Sequence, residues 1–236
     1  GIPTGVKMFS AVFSNTPGDA GKLAARFLGE ELPVQEAEVM DVDERAFRRD
    51  RLESELKGYA KVPYEPQLVQ AGKVGTAPTG YERADQKAIA RFVVESMEDG
   101  HLYLLGPGTT TRAVAEELGI RDSTLLGVDL IKNKKLLARD AREEQILQEM
   151  GNLPATIIMS PIGKQGFILG RGNQQISSRI IRRVGKENVL VLATSNKLAA
   201  TPTLKVDTGD PKLDQEFRGH IPVIVGYWLK RTVRVV

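Results

Sequence analysis

The chain has no cysteine among its 236 residues, which excludes a disulfide scaffold, a thiolate nucleophile and any cysteine-ligated metal or iron–sulfur centre. Histidine is almost as scarce: His101 and His220 are too few for a histidine-based zinc site without carboxylate help. No apolar run approaches the roughly 20 residues needed to cross a bilayer, and the amino terminus carries no signal-peptide pattern. Internal repeats and low-complexity stretches are missing as well. Nor does charge of one sign dominate, since 33 basic residues face 30 acidic ones for a net +3, which is no nucleic-acid signature. Two small basic knots, Arg179/Arg182/Arg183 and Lys132/Lys134/Lys135, read as solvated faces, although the arginines also suit a positive funnel for a polyphosphate. Aromatics are sparse beside them, which disfavours a stacking platform for single strands. What these exclusions leave is a folded, soluble chain, 41% apolar, long enough for one large core or two small ones. The expected setting is cytoplasmic, with no membrane or nucleic-acid partner.

The pattern of apolar residues predicts alternating helices and strands. Pro17 after Asn15-Thr16 opens a helix through Leu28 with Ala20, Leu23, Ala24 and Phe27 on one stripe. Val34 to Val42 alternates like an exposed strand, and the charged Glu44 to Leu56 segment is predicted helical. Prolines 63, 66 and 78 with glycines 72, 75 and 80 mark Val62 to Tyr81 as a connection, either a tether or a flap over a site. Beyond Arg83 the elements alternate: Asp85 to Met97, Leu102 to Leu105, Thr110 to Leu118, Leu125 to Ile131, Leu136 to Asp140, Glu143 to Met150, Ala155 to Met159, Gln174 to Val184 and Val189 to Ala193. Thr203 to Val206 is a further strand, and Ile221 to Val225 with Trp228 to Val236 forms a pair. This is an α/β fold with a mixed, largely parallel sheet, a hairpin at Lys132-Asn133-Lys134 and an additional β-rich portion. The expected organisation is an N-terminal α+β segment over 1–62, a connection over 63–82 and an α/β domain over 83–236.

Two glycine-rich loops stand out. Ser160 to Ser177 crowds Gly163, Gly166, Gly170 and Gly172 together with Lys164, Gln165, Arg171, Asn173, Gln174 and Gln175, between a buried strand and a helical pattern. Glycine allows close backbone approach and positive φ, so a polyphosphate or ribose can lie against bare amides there. Arg171 would give phosphate a planar donor fork, and the carboxamides would bond ribose hydroxyls. The other reading is a tight turn whose polar groups only cap and solvate. The second loop, Gly106-Pro-Gly108-Thr109-Thr110-Thr111-Arg112, follows a strand and opens a helix, with Thr109 or Thr110 as N-cap and Gly119 at the far end. It is neither a Walker loop nor a full Gly-x-Gly-x-x-Gly fingerprint. Both loops follow strands, where open α/β sheets place ligands, and they are read as one site.

Carboxylates supply the remaining chemistry. Asp207-Thr-Gly-Asp210 after a strand suits magnesium or general-base work, with Asp207 and Asp210 as catalytic and metal-binding candidates. The competing reading is an Asx turn and helix cap, because Asp210-Pro211 is a helix start. Asp129, read at a strand end, is a candidate for ribose hydroxyls.

The phrases Gly1 to Met8, Gly106 to Arg112, Pro161 to Phe167, Gly170 to Gln175 and Val206 to Asp210 together give the chain its resemblance to the ATP-NAD kinase-like family. Within it, the chain resembles the branch that includes proteins found with acetoin catabolism. The likeness runs from Gly1 to about Tyr227, with glycine in the family pattern where Lys164 stands here. The resemblance implies a phosphotransferase that moves phosphate from ATP or polyphosphate to the 2′-hydroxyl of NAD with a divalent cation such as Mg2+. It also implies a homo-oligomer. In the family a preceding domain carries a Gly-Gly-Asp-Gly motif whose aspartate serves the transfer. That motif is absent here, so the expectation is a C-terminal portion, inactive or nearly so by itself, that works with a missing N-terminal domain. A sugar-phosphate isomerase-like domain and a non-catalytic nucleotide-sensing module are the alternatives. Under the kinase-like reading, Arg171→Ala is expected to lose nucleotide affinity at unchanged melting temperature.

Overall fold

A computed structural model describes residues 1–3, 10–42, 54–65, 68, 80–121, 123–124, 127–161 and 166–236. The chain divides into two compact units, Gly1–Ala77 and Pro78–Val236.

In the first unit, helix α1 (Pro17–Leu28) begins where the sequence puts it: the Thr16 hydroxyl accepts from the Asp19 amide at 3.0 Å, with proline at the first helical position. Strands β1 (Val34–Val42) and β2 (Ser54–Pro63) pair antiparallel, with a bulge between Val39 and Met40 that spends Lys57 as an unpaired extra residue. The helix expected over Glu44 to Leu56 lies mostly outside the described residues. Its last stretch, Ser54 to Leu56, is strand, because pairing with Val42, Asp41 and Met40 outweighs the helical preference of its charged residues.

The second unit is built on a nine-stranded sheet in the order β5-β4-β3-β6-β8-β10-β11-β9-β7. Its strands are β3 (Leu102–Leu105), β4 (Asp129–Lys132), β5 (Lys135–Ala138), β6 (Ala155–Met159), β7 (Phe167–Leu169), β8 (Val189–Leu192), β9 (Thr203–Val206), β10 (Gly219–Gly226) and β11 (Leu229–Val235). The helices are α2 (Gly80–Glu95), α3 (Thr109–Glu117), α4 (Glu143–Met150), α5 (Ser178–Val184), α6 (Ser195–Ala200) and α7 (Pro211–Phe217). The period-two alternation of strand side chains sends successive residues to two different cores. Leu102, Leu104, Leu130, Ile157, Met159, Val191 and Val223 meet α4, α5 and α7 through Ile146, Met150, Ile180, Ile181 and Phe217. Tyr103, Leu105, Ile131, Ile158, Leu192 and Ile224 meet α2 and α3 through Ile89, Phe92, Val93 and Val114. Helices therefore cover both faces, and the strands β3, β6 and β8 read as continuous apolar runs because they have no wet side.

Asn133 and Lys134 both take positive φ in the two-residue turn joining β4 to β5, the turn that matches strand twist. Helix α3 closes with Gly119 at φ +75°, the Ile120 amide returning to Ala115 and the Gly119 amide to Glu116, both at 2.9 Å. Trp228 rests its ring 5.1 Å from Phe92 and is 75% exposed in the β10–β11 turn.

Candidate functional site

Strand direction decides which candidate residues meet. Strands β3, β6, β8 and β10 are mutually parallel, and the hairpin after Gly226 reverses the chain, so β11, β9 and β7 run the opposite way. The loops leaving β3, β6 and β8 lie at one end of the strands. Gly170 to Gln175 and Asp207 to Asp210, which follow β7 and β9, lie at the other. Gly170 to Gln175 therefore does not join the Gly106 to Thr111 loop in one site. The short strand β7 divides Ser160 to Ser177 into a first part at the β3 end and a second part across the sheet.

At the β3 end, a Cβ on Gly106 would come within 2.2 Å of Met159 Sδ, so the buried thioether would have to shift to admit it. The Gly106 amide donates to Ile158 O at 2.9 Å. Gly108, at φ +132°, is the N-cap of α3 and offers no side-chain cap, which corrects the expectation that Thr109 or Thr110 plays that part. Thr109 is instead the first helical residue, and its hydroxyl accepts from Gln86 Nε2 at 3.2 Å. The Thr111 hydroxyl donates to Gly108 O at 2.8 Å. Thr110 is 1% exposed and its Oγ1 has no hydrogen-bond partner, a costly state for a buried hydroxyl. The buried Ser160, first residue beyond β6, faces Gly108 across the two loops, its Cβ 3.5 Å from where a Gly108 side chain would begin. From the third strand, Lys197 of α6 donates to Ser160 Oγ at 2.9 Å, while Thr194 caps that helix. Gly163, Lys164 and Gln165 fall outside the described residues. Gly166, at φ +77°, packs a missing side chain against Thr203 O, so its glycine serves strand entry.

The opposite end is occupied by contacts within the protein. The Asn173 carboxamide is fully buried, its Oδ1 accepting from the Gly170 amide at 2.8 Å and its Nδ2 donating to Ile168 O at 3.1 Å. Arg171 is nearly buried, donates through Nε to Asp207 Oδ2 at 3.0 Å and lies 4.3 Å over the Phe167 ring. Gly172 sits at φ +76° between them, and Gln174 is exposed. Arg171 thus has structural work, and Arg171→Ala would remove an ion pair and a ring contact along with any ligand contact. Asp210 caps α7 through the Lys212 and Leu213 amides at 3.1 and 3.2 Å, and Arg182 donates twice to its other oxygen, at 3.1 and 2.8 Å. Thr208 is fixed by Asp214.

The Arg182 guanidinium, followed by the two capping amides, holds the Asp210 carboxyl below its ordinary value. A depressed folded value means that the group stabilises the fold above the ordinary carboxylate range, and that this contribution is lost as pH falls through the folded value. Asp210→Asn should accordingly melt earlier than the parent at neutral pH. Thermal scans descending into acid should show the gap closing, and a gap that persists in acid would refute the linkage.

A resident divalent cation does not fit these residues. The Asp207 and Asp210 carboxylates face different arginines, and no group of three potential ligands occurs among the described residues. Asp129 is 1% exposed, its two oxygens accepting from the Thr124 amide at 2.8 Å and the Asp140 amide at 3.0 Å. Lys197 escaped sequence reasoning. The signal for it was a third strand followed by a capped turn, Val189 to Leu192 and then Thr194-Ser-Asn-Lys197, without a glycine to draw attention to it.

The family model for the ATP-NAD kinase C-terminal domain matches residues 98–235. This span takes in the whole sheet from β3 to β11, and the chain belongs to that family. No curated protein and no solved structure matches it. Among the described residues no helix is long and apolar enough to cross a membrane.

Proposed function

We propose that this chain is the nucleotide-binding portion of an NAD kinase-like phosphotransferase, which moves phosphate from ATP or polyphosphate to the 2′-hydroxyl of NAD. The observation that carries the reading is the meeting of the α3 entrance with Ser160, where the unpartnered Thr110 hydroxyl lies in the first helical turn. A helix entrance without a side-chain cap has amides to offer an anion, and glycines at 106 and 108 keep the backbone bare beside it. Family membership supplies the chemistry that such a cradle would serve.

In this reading the chain's residues bind and orient. The α3 amides and the Thr110 hydroxyl would take phosphate oxygens, and Ser160 would border the same oxygens from β6. Holding the reacting groups in line and neutralising their charge is most of what phosphoryl transfer requires of a protein. The sequence has no Gly-Gly-Asp-Gly motif, so we assign binding to this chain and not the aspartate-assisted step.

Calorimetric titration with NAD, ATP and ribose 5-phosphate, each with and without magnesium, tests the proposal. Binding of NAD or ATP in preference to the sugar phosphate is the expected result. Selective uptake of ribose 5-phosphate would replace it with the isomerase-like reading.

A further inference from the structure

The buried stripe of α2 is interrupted at one place. Ile89, Ala90 and Val93 stand on it, and the residue that completes their helical spacing is Gln86, itself only 7% exposed. Packing alone asks for a leucine or methionine there. The Gln86 carboxamide instead reaches α3, where its Nε2 donates to the Thr109 hydroxyl at 3.2 Å. Resting on the reading above, we propose that Gln86 is a positioning residue of the phosphate site at the α3 entrance, acting by fixing the direction in which the Thr109 hydroxyl gives its proton.

Thr109 is the first residue of α3 and is exposed, so its hydroxyl stands beside the free amides that an anion would meet. A hydroxyl has one proton to give and two lone pairs. Gln86 Nε2 occupies a lone pair, which leaves the proton to point away from α2, and among the described residues no acceptor takes it. The next residue, Thr110, carries a hydroxyl that is buried and unpartnered, an independent sign that the first turn of this helix holds donors short of an acceptor. A hydroxyl already held in its binding orientation loses less freedom when the ligand arrives. Glutamine suits the task because its amide group donates without charge. A carboxylate in its place could only accept, so it would draw the Thr109 proton inward and away from the anion. A polar side chain on an apolar stripe breaks the local packing rule, and such exceptions concentrate where a site has to be held.

The test is a double-mutant cycle on the full chain with Gln86→Met and Thr109→Val, titrated with inorganic pyrophosphate and with NAD. Each single variant is expected to bind both ligands about 3- to 10-fold more weakly, the range of one hydrogen bond, and the double variant no more weakly than Thr109→Val alone. Thr109→Ser, which keeps the hydroxyl, should bind as the parent does, and Gln86→Glu should lose more affinity than Gln86→Met. A merely structural glutamine would show itself in the melting temperature, yet Gln86→Met should melt at or above the parent, since it completes the apolar stripe and leaves the exposed Thr109 to water. If Gln86→Met unfolds, Gln86→Leu takes its place in the cycle with the same expected loss. Losses that add in the double variant, or parent affinity in Gln86→Met, would overturn the role of Gln86 and leave the nucleotide site standing. A parent chain that binds neither ligand would overturn both.

Discussion

Gly170→Ala is expected to destabilise the second unit by about 4 kcal/mol, the sum of a strained backbone conformation and a forced displacement, each worth roughly 1–3 kcal/mol. Gly170 lies at φ +93°, where side chains are strained, and a Cβ there would fall 1.7 Å from Asp207 O and 2.9 Å from Thr208 N. Those atoms are backbone and cannot rotate away. They are also held in place, since the Asp207 amide donates to Leu169 O at 3.1 Å and β7 and β9 pair immediately before it. The alanine can be accommodated only by parting the two strands at the sheet edge. Gly209→Ala, in the same turn region at φ +80° with nothing within 4 Å of its Cβ, is the matched control. It carries the strain without the collision and should cost only about 1–2 kcal/mol. Thermal melts should separate the two by several degrees, at roughly 2–4 °C per kcal/mol for a chain of this size. Equal shifts would mean that strain alone explains Gly170 and that β7 and β9 do not meet as described.

The same pair of strands shows where the sequence was legible and where it was not. Leu102–Leu105, Glu143–Met150, Ala155–Met159 and Thr203–Val206 have the bounds their patterns predict, because each is a short apolar or amphipathic run between turn residues. The Asp210-Pro211 start of α7 and the Asn133-Lys134 turn are equally local, written in one cap and one hairpin. Strand β7 is three residues inside a glycine-rich phrase, too short to carry a period. Whether the Gly170 to Gln175 turn belongs with the Gly106 to Thr111 loop depends on strand direction. That direction is set by the reversal after Gly226 and by pairings between residues far apart in sequence. Composition does not tell a ligand cradle from an internal scaffold. Four glycines and several carboxamides look like a ligand cradle, yet Asn173 spends its carboxamide on Gly170 and Ile168, and Arg171 spends its Nε on Asp207. Lys197 shows the converse, an ordinary lysine in an ordinary helix that the pairing of β8 with β6 brings within 2.9 Å of Ser160 Oγ.

Asp129→Ala is expected to cost about 2–5 kcal/mol, because it strips the acceptor from two amides at a site that is 1% exposed, and each orphaned buried donor costs about 1–3 kcal/mol. The carboxylate ties Thr124 to Asp140 across the base of the β4–β5 hairpin, and Asp129 itself pairs with Leu105, the residue before the Gly106 loop. The loss should therefore loosen the loop's support as well as lower the melting temperature. Asp129→Asn separates this from the ribose-binding role that sequence reasoning gave the residue. An asparagine keeps one acceptor oxygen but turns an amino group toward the second amide, so the variant should fall between parent and Asp129→Ala in stability. If Asp129 is a strut, Asp129→Asn at a temperature where it is fully folded should bind NAD as the parent does. If its carboxylate instead reaches a ribose hydroxyl, NAD affinity should drop about tenfold while adenine-free pyrophosphate binding stays the same. Since both oxygens are already committed to backbone amides, the first outcome is the expected one. Under the proposed nucleotide-binding reading, ligand selectivity would then fall to the loops at this end of the sheet and not to the carboxylate that braces them.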